Sequence, residues 1–202
     1  MQAIERRFRF RSSWRKQQGV AAVEFSLVAM AFFIVFFGVV ELARAMYICN
    51  TLQEVTRRAA ALAANADFSN PAALQNVREQ AVFRDSPGYL VFAEPVTDSH
   101  VKIDYMWIQR NGTSMTMESI PSGSLPASPA ANVANCMRDP YSQSCIRLVR
   151  VRVCQADDGG VCTPLTYRTL VSLIPFPFSL PAATTIVNAE TLGMAAGVPA
   201  AP

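Results

Sequence analysis

GVAAVEFSLVAMAFFIVFFGVVELARAMYICNTLQEVTRRAAALAA, residues 19–64, decides the fold of this chain. Residues 25–40 (FSLVAMAFFIVFFGVV) carry no charge. Phe32, Phe33, Phe36 and Phe37, with Ile34 and Val35, make the run apolar all round, unlike a surface helix with one apolar stripe. A spanning helix needs about 20 mostly apolar residues, so the run must begin near Val20 and enclose Glu24. The prediction is a transmembrane helix over residues 20–40. A buried core helix is the weaker reading. Beyond Val40 the pattern changes character. Leu42, Ala45, Met46, Cys49, Leu52, Val55, Ala59, Leu62, Ala63 and Ala66 recur at three- and four-residue steps, with Arg44, Thr51, Glu54 and Arg58 off that stripe. One helix over residues 20–66 would be roughly 70 Å long at ~1.5 Å per residue. Its first half belongs in lipid and its second half packs against a domain.

The residues before this stretch set its orientation. Arg6, Arg7, Arg9, Arg11, Arg15 and Lys16 face a single acid, Glu5, so the net charge of +3 belongs to the N-terminal arm. Basic residues beside an apolar span stay on the cytoplasmic side. The same arm could contact nucleic acid, but no basic, aromatic-interleaved surface recurs later, and no nucleic-acid partner is expected. Two other export signals compete. Ala43-Arg44-Ala45 after an apolar run is a cleavage motif of an ordinary secretory signal peptide. Arg6-Arg7 matches a twin-arginine signal only loosely.

Glu24 stands out. A carboxylate inside a bilayer costs a few kcal/mol, less near an end, and calls for a cationic partner. Gly19 is a small residue at which a protease could cut. Cleavage there would give Val20 a new ammonium one helical turn from Glu24, able to pair with it in its own chain or a neighbour's.

With the basic arm, Gly19, the run Val20-Ala21-Ala22-Val23-Glu24-Phe25 and the apolar helix in place, the N-terminus resembles a class III, prepilin-type signal. The exit Glu41-Leu42-Ala43-Arg44 and the following Arg57-Arg58-Ala59-Ala60 helix resemble, more narrowly, the TadE-like family: minor pilins or pseudopilins (TadE and TadF) of the tight-adherence Tad/Flp pilus. The resemblance covers residues 17–64. It implies processing between Gly19 and Val20 by a prepilin peptidase, and assembly through Glu24 beside Phe25. It also implies other Tad/Flp pilins, an inner-membrane assembly platform and the lipid bilayer as partners. The location implied is the inner membrane, single-pass, with the N-terminus cytoplasmic and the C-terminal domain periplasmic.

Downstream, Pro71 opens a second helix carrying Leu74, Val77 and Ala81 to about Arg84, ended by Ser86-Pro87-Gly88. Val101, Ile103, Tyr105 and Trp107 alternate with polar residues as a strand, and Asn111-Gly112 predicts a tight hairpin. Residues 119–134, rich in Pro, Ser and Ala, predict a loop. Residues 146–154 (IRLVRVRVC) form the clearest strand, with Arg147, Arg150 and Arg152 facing water. Asp157-Asp158-Gly159-Gly160 would turn it back into residues 166–174, and a last strand is expected over residues 184–192. The fold class is α+β: a long N-terminal transmembrane helix continuing into a periplasmic domain with a mainly antiparallel sheet. The organisation is a basic leader at 1–19, a span at 20–40, a helical stalk and second helix at 41–84, and a β-rich domain at 85–202.

Five cysteines remain to be placed. Cys49, on the stripe, is expected as a small buried residue. Cys136, Cys145, Cys154 and Cys162 have eight, eight and seven residues between them, without the close pairs of a zinc site. In an oxidising compartment they form two disulfides in one of three connectivities. Cys136–Cys145 with Cys154–Cys162 is favoured, the second pair flanking the Asp-Gly turn. His100 stands alone in a turn-like stretch. Asp104, Asp157 and Asp158 lack partners at ligand spacing, and no phosphate loop, dinucleotide fingerprint or nucleophile elbow occurs. No catalytic residue, metal or cofactor is expected, and the chain reads as a structural protein rather than an enzyme. The alternative is an exported soluble binding protein cleaved near Ala45.

Overall fold

The computed structural model describes residues 18–155, 161–170, 178–189 and 191–193. The basic arm, the turn at 157–160 and residues 171–177 of the proline-punctuated segment lie outside them. The chain divides into two compact units, one ending at Val39 and the other beginning at Val40. A single helix, α1 (Gln18–Ala63), runs through the division.

In the first unit every described residue is helical, and its large apolar side chains stand exposed. Phe32 and Phe36 stack at 6.1 Å between ring centroids and Phe33 and Phe37 at 6.0 Å, the spacing that i,i+4 neighbours on a helix produce.

In the second unit, the rest of α1 contributes Ala45, Ile48, Leu52, Val55, Ala59, Ala60 and Ala63 to one hydrophobic core. This corrects the expected stripe. Leu42 and Met46 are exposed and Cys49 is half-buried, while Ile48 and Ala60 are fully buried. The offset is confined to the first turns beyond Val40; from Leu52 on, Leu52, Val55, Ala59 and Ala63 reach the core as expected, and the same inward face carries Glu41 and Thr56, both buried. Thr56 finds its partner across the core: its hydroxyl lies 2.9 Å from that of Thr185.

Helix α2 (Pro71–Ala81) begins where Asn70 accepts from the amides of Ala72 and Ala73, with Pro71 in the first turn. It ends three residues before the expected Arg84. The following loop is clamped by Asp98, which is buried and accepts from the Gly88 amide and the Gln75 side chain, each at 2.9 Å.

The sheet is antiparallel, in the order β2-β1-β3-β4, from β1 (Val101–Asn111), β2 (Ser114–Ser119), β3 (Leu148–Val153) and β4 (Thr184–Asn188). A long helix followed by a domain with a four-stranded antiparallel sheet is the α+β arrangement expected. Asn111 pairs with Ser114, so the hairpin turns on Gly112 and Thr113 rather than on Asn111-Gly112. Gly112 takes φ +61°, a conformation that glycine adopts without steric cost. Val149, Val151 and Val153 point into the core, while Arg150 and Arg152 converge on Asp104 of β1, their Nε atoms each 3.0 Å from the same carboxylate oxygen.

Three further expectations need correction. Residues 119–134 are not all loop. Ser128 caps a helix, α3 (Pro129–Arg138), by accepting from the Ala131 amide, and Pro129 opens it. Residues 166–170 do not form a strand. Thr166 makes only an isolated bridge with Ser179, and residues 171–174 lie outside the described ones. The last strand stops at Asn188 rather than Leu192.

Candidate functional site: the N-terminal helix and the polar node beyond it

Helix α1 already includes Gly19 and Val20, so the expected processing residues lie in its first turn. Gly19 is exposed, with nothing within 4 Å of the position a Cβ would take. Glu24 lies four residues after Val20, one turn along the same face. Among the described residues its carboxylate makes no ion pair. In the intact chain the nitrogen of Val20 is a neutral amide. A cation at this spacing would arise only if the chain were cut after Gly19. Phe25, the neighbouring expected assembly residue, is 75% exposed. The most apolar 18-residue window of the helix has a mean hydropathy of 2.5, and none of it is buried within the protein. The helix is long and apolar enough to cross a membrane.

A second glutamate on the same helix has the opposite surroundings. Glu41 is only 2% exposed. The Tyr167 hydroxyl donates to its carboxylate at 2.5 Å, and the Leu170 amide approaches its two oxygens at 3.2 and 3.3 Å. Arg44, one turn on, supplies the charge at 3.6 Å. The Arg44 guanidinium donates to the carbonyls of Phe92 (3.0 Å), Glu94 (3.1 Å) and Arg168 (2.6 Å) and to the Tyr167 hydroxyl (3.2 Å). It also lies over the Tyr167 ring. Burial pushes the Tyr167 phenol up, the hydrogen bond to Glu41 adds to this, and Arg44 opposes it. The phenol therefore keeps its proton and acts as the donor. The node fastens two loops, around residues 91–94 and 166–170, to the turn of α1 that follows the apolar run. Nothing in the local sequence pattern revealed it. Glu41 and Arg44 looked like the polar exit of a span, whereas their partners lie 48 to 129 residues away.

The four clustered cysteines stand as two bridged pairs, Cys136–Cys145 and Cys154–Cys162. Cys49 is free and lines a cavity of about 400 Å³ with Leu42, Ala45, Met46, Asn50 and Phe178. His100 is half-buried, its Nδ1 accepting from the Thr97 amide at 3.0 Å. Asp104 is held by two arginines, and Asp157 and Asp158 lie outside the described residues. Among the described residues, no three His, Cys, Asp or Glu side chains are grouped to hold a metal ion.

Comparison with known proteins places the likeness at the N-terminus. Residues 19–61 match the family model described as TadE-like protein. No curated protein and no solved structure matches the chain.

Proposed function

We propose, on the premise of a TadE-like segment at residues 19–61, that the chain is a minor pilin or pseudopilin precursor serving assembly of a Tad/Flp-type adhesive pilus. The observation that carries this is where the match begins. Its first residue is Gly19, the small residue between the basic arm and an all-round apolar helix. The role is structural rather than catalytic. The basic arm holds the N-terminus in the cytoplasm. A prepilin peptidase cuts after Gly19, and the span stays in the inner membrane with the C-terminal domain in the periplasm. The new Val20 ammonium then meets Glu24, in its own chain or in a neighbouring pilin, so maturation precedes assembly. Other Tad/Flp pilins and the inner-membrane assembly platform are the partners.

Cleavage near Ala45, the alternative, fits poorly. Ala45 is buried in mid-helix, and a cut there would remove Glu41 and Arg44 from the domain whose loops they hold. N-terminal sequencing and intact mass of protein from the envelope test the proposal, with Val20 expected as the first residue. Gly19→Leu should run as the larger precursor on immunoblots. Glu24→Ala should be processed, yet be depleted from pili. Mature-size protein and normal pili from both variants would overturn the reading. A reporter active only in the periplasm, fused after Ala66, should be active.

A further inference from the structure

The domain carries an apolar rim that its own core does not use. Phe92 is 79% exposed and Leu170 64%, with Tyr89 and Val91 also exposed. Tyr89, Phe92 and Leu170 border one concavity of about 460 Å³, together with Arg44 and Arg84. Exposed apolar groups gathered in one place mark a contact surface more often than scattered ones do.

The backbone adds a second observation. Phe92 takes φ +56°, the left-handed region that a bulky L-residue rarely adopts. The hydrogen bond from Arg44 to the Phe92 carbonyl holds it there. The ring gains no burial in return.

The third observation is height along α1. The loop is fastened to Arg44 through the Phe92 carbonyl and to Tyr47, whose hydroxyl donates to the Val91 carbonyl at 3.3 Å. Residues 41–47 follow directly on Val40 and occupy about 10 Å of helix at ~1.5 Å per residue. The headgroup layer of one leaflet is roughly 5–8 Å deep. If the hydrocarbon edge lies at Val40, the loop is held within or just above that layer. Tyr47, Tyr89 and Phe92 then form an aromatic set at the height where such rings settle in membrane proteins. This step rests on the membrane-anchor reading above.

We propose that the rim formed by Tyr89, Phe92 and Leu170 docks onto the lipid surface of the bilayer that holds α1. Phe92 and Leu170 enter the interface, and the domain is seated rather than tethered.

The test uses the full chain reconstituted in phosphatidylcholine bilayers with acyl chains brominated near the headgroup, a quencher of tryptophan emission. Phe92→Trp and Leu170→Trp are each compared with the parent, whose own tryptophans are Trp14 and Trp107. Phe36→Trp reports on the span, and Met137→Trp on an exposed site on α3 that borders none of the rim. The added emission of Phe92→Trp and Leu170→Trp should be lost in brominated lipid, while that of Met137→Trp persists. Unquenched Phe92→Trp and Leu170→Trp beside a quenched Phe36→Trp would overturn the docking and leave the anchor intact. Shielding of those two positions from aqueous iodide without lipid quenching would likewise overturn it, pointing to a protein occupant. An unquenched Phe36→Trp would overturn the anchor reading and the docking together.

Discussion

Two glutamates on one helix, seventeen positions apart, show how differently the two halves of α1 are built. Around Glu24 every large neighbour is apolar and exposed, and the described residues offer the carboxylate no ion pair. Around Glu41 the protein has closed completely, with a tyrosine, a backbone amide and an arginine turned towards the carboxylate. The first half buries none of its large apolar side chains within the protein. The second half has built its inside already. On the proposed function the charge in the first half awaits a partner, whereas the charge in the second half is already met within the fold.

The sharpest way to break this comparison is to remove one charge from each half. Arg44→Ala leaves Glu41 buried without its cation and should cost about 3–5 kcal/mol of domain stability. Glu24→Ala should change it by less than about 0.5 kcal/mol. Urea unfolding in detergent, followed through Trp107 on β1, measures both. Equal effects would mean that the halves are not distinct. A smaller effect tests the offset of the stripe. Ile48→Ala, at a fully buried position off the expected stripe, should cost about 3 kcal/mol, whereas Met46→Ala, on the expected stripe but exposed, should stay within about 0.5 kcal/mol in the same assay. The reverse order would restore the stripe read from sequence.

The smallest effect concerns a defect inside the domain. Among the described residues the buried Tyr105 hydroxyl has no hydrogen-bond partner. Removing an unsatisfied buried group is neutral or favourable, so Tyr105→Phe should hold or raise stability, by up to about 1 kcal/mol. Burial also pushes the Tyr105 phenol well above its ordinary value of 10.0, with Arg78 opposing and Asp67 adding to the shift. The fold favours the neutral form, so this group's contribution is intact below pH 10.0 and is lost as the pH rises through the higher folded value. Tyr105→Phe should therefore move alkaline unfolding to higher pH, read by circular dichroism across a pH series.

The long apolar helix was legible because its signal is composition alone, an uncharged run at residues 25–40 of the kind a bilayer asks for. The sheet was legible where strands alternate, as in β3. The stripe on α1 was legible from Leu52 onward, where Leu52, Val55, Ala59 and Ala63 reach the core as expected, but not in its first turns, where Leu42 and Met46 are exposed. In those turns the inward face carries Glu41, whose partners Tyr167 and Leu170 come from the far end of the chain and leave no mark on the local pattern. Helix α3 was missed although its signal, Ser128-Pro129 before Ala130 and Ala131, was present. A stretch rich in Pro, Ser and Ala reads as a loop by composition, and only the cap and the first-turn proline distinguish it. The segment match beginning at Gly19 agrees with the resemblance read from the sequence.

Arg44 also has a mechanical meaning. One guanidinium holds the carbonyls of Phe92, Glu94 and Arg168 to a single turn of helix. A pull along α1 would reach both loops through that side chain, together with Glu41 and Tyr47, which hold the same loops. If such a pull loads the three bonds in parallel, they share the tension and yield together. Bonds loaded one after another would peel apart at the force that breaks the weakest.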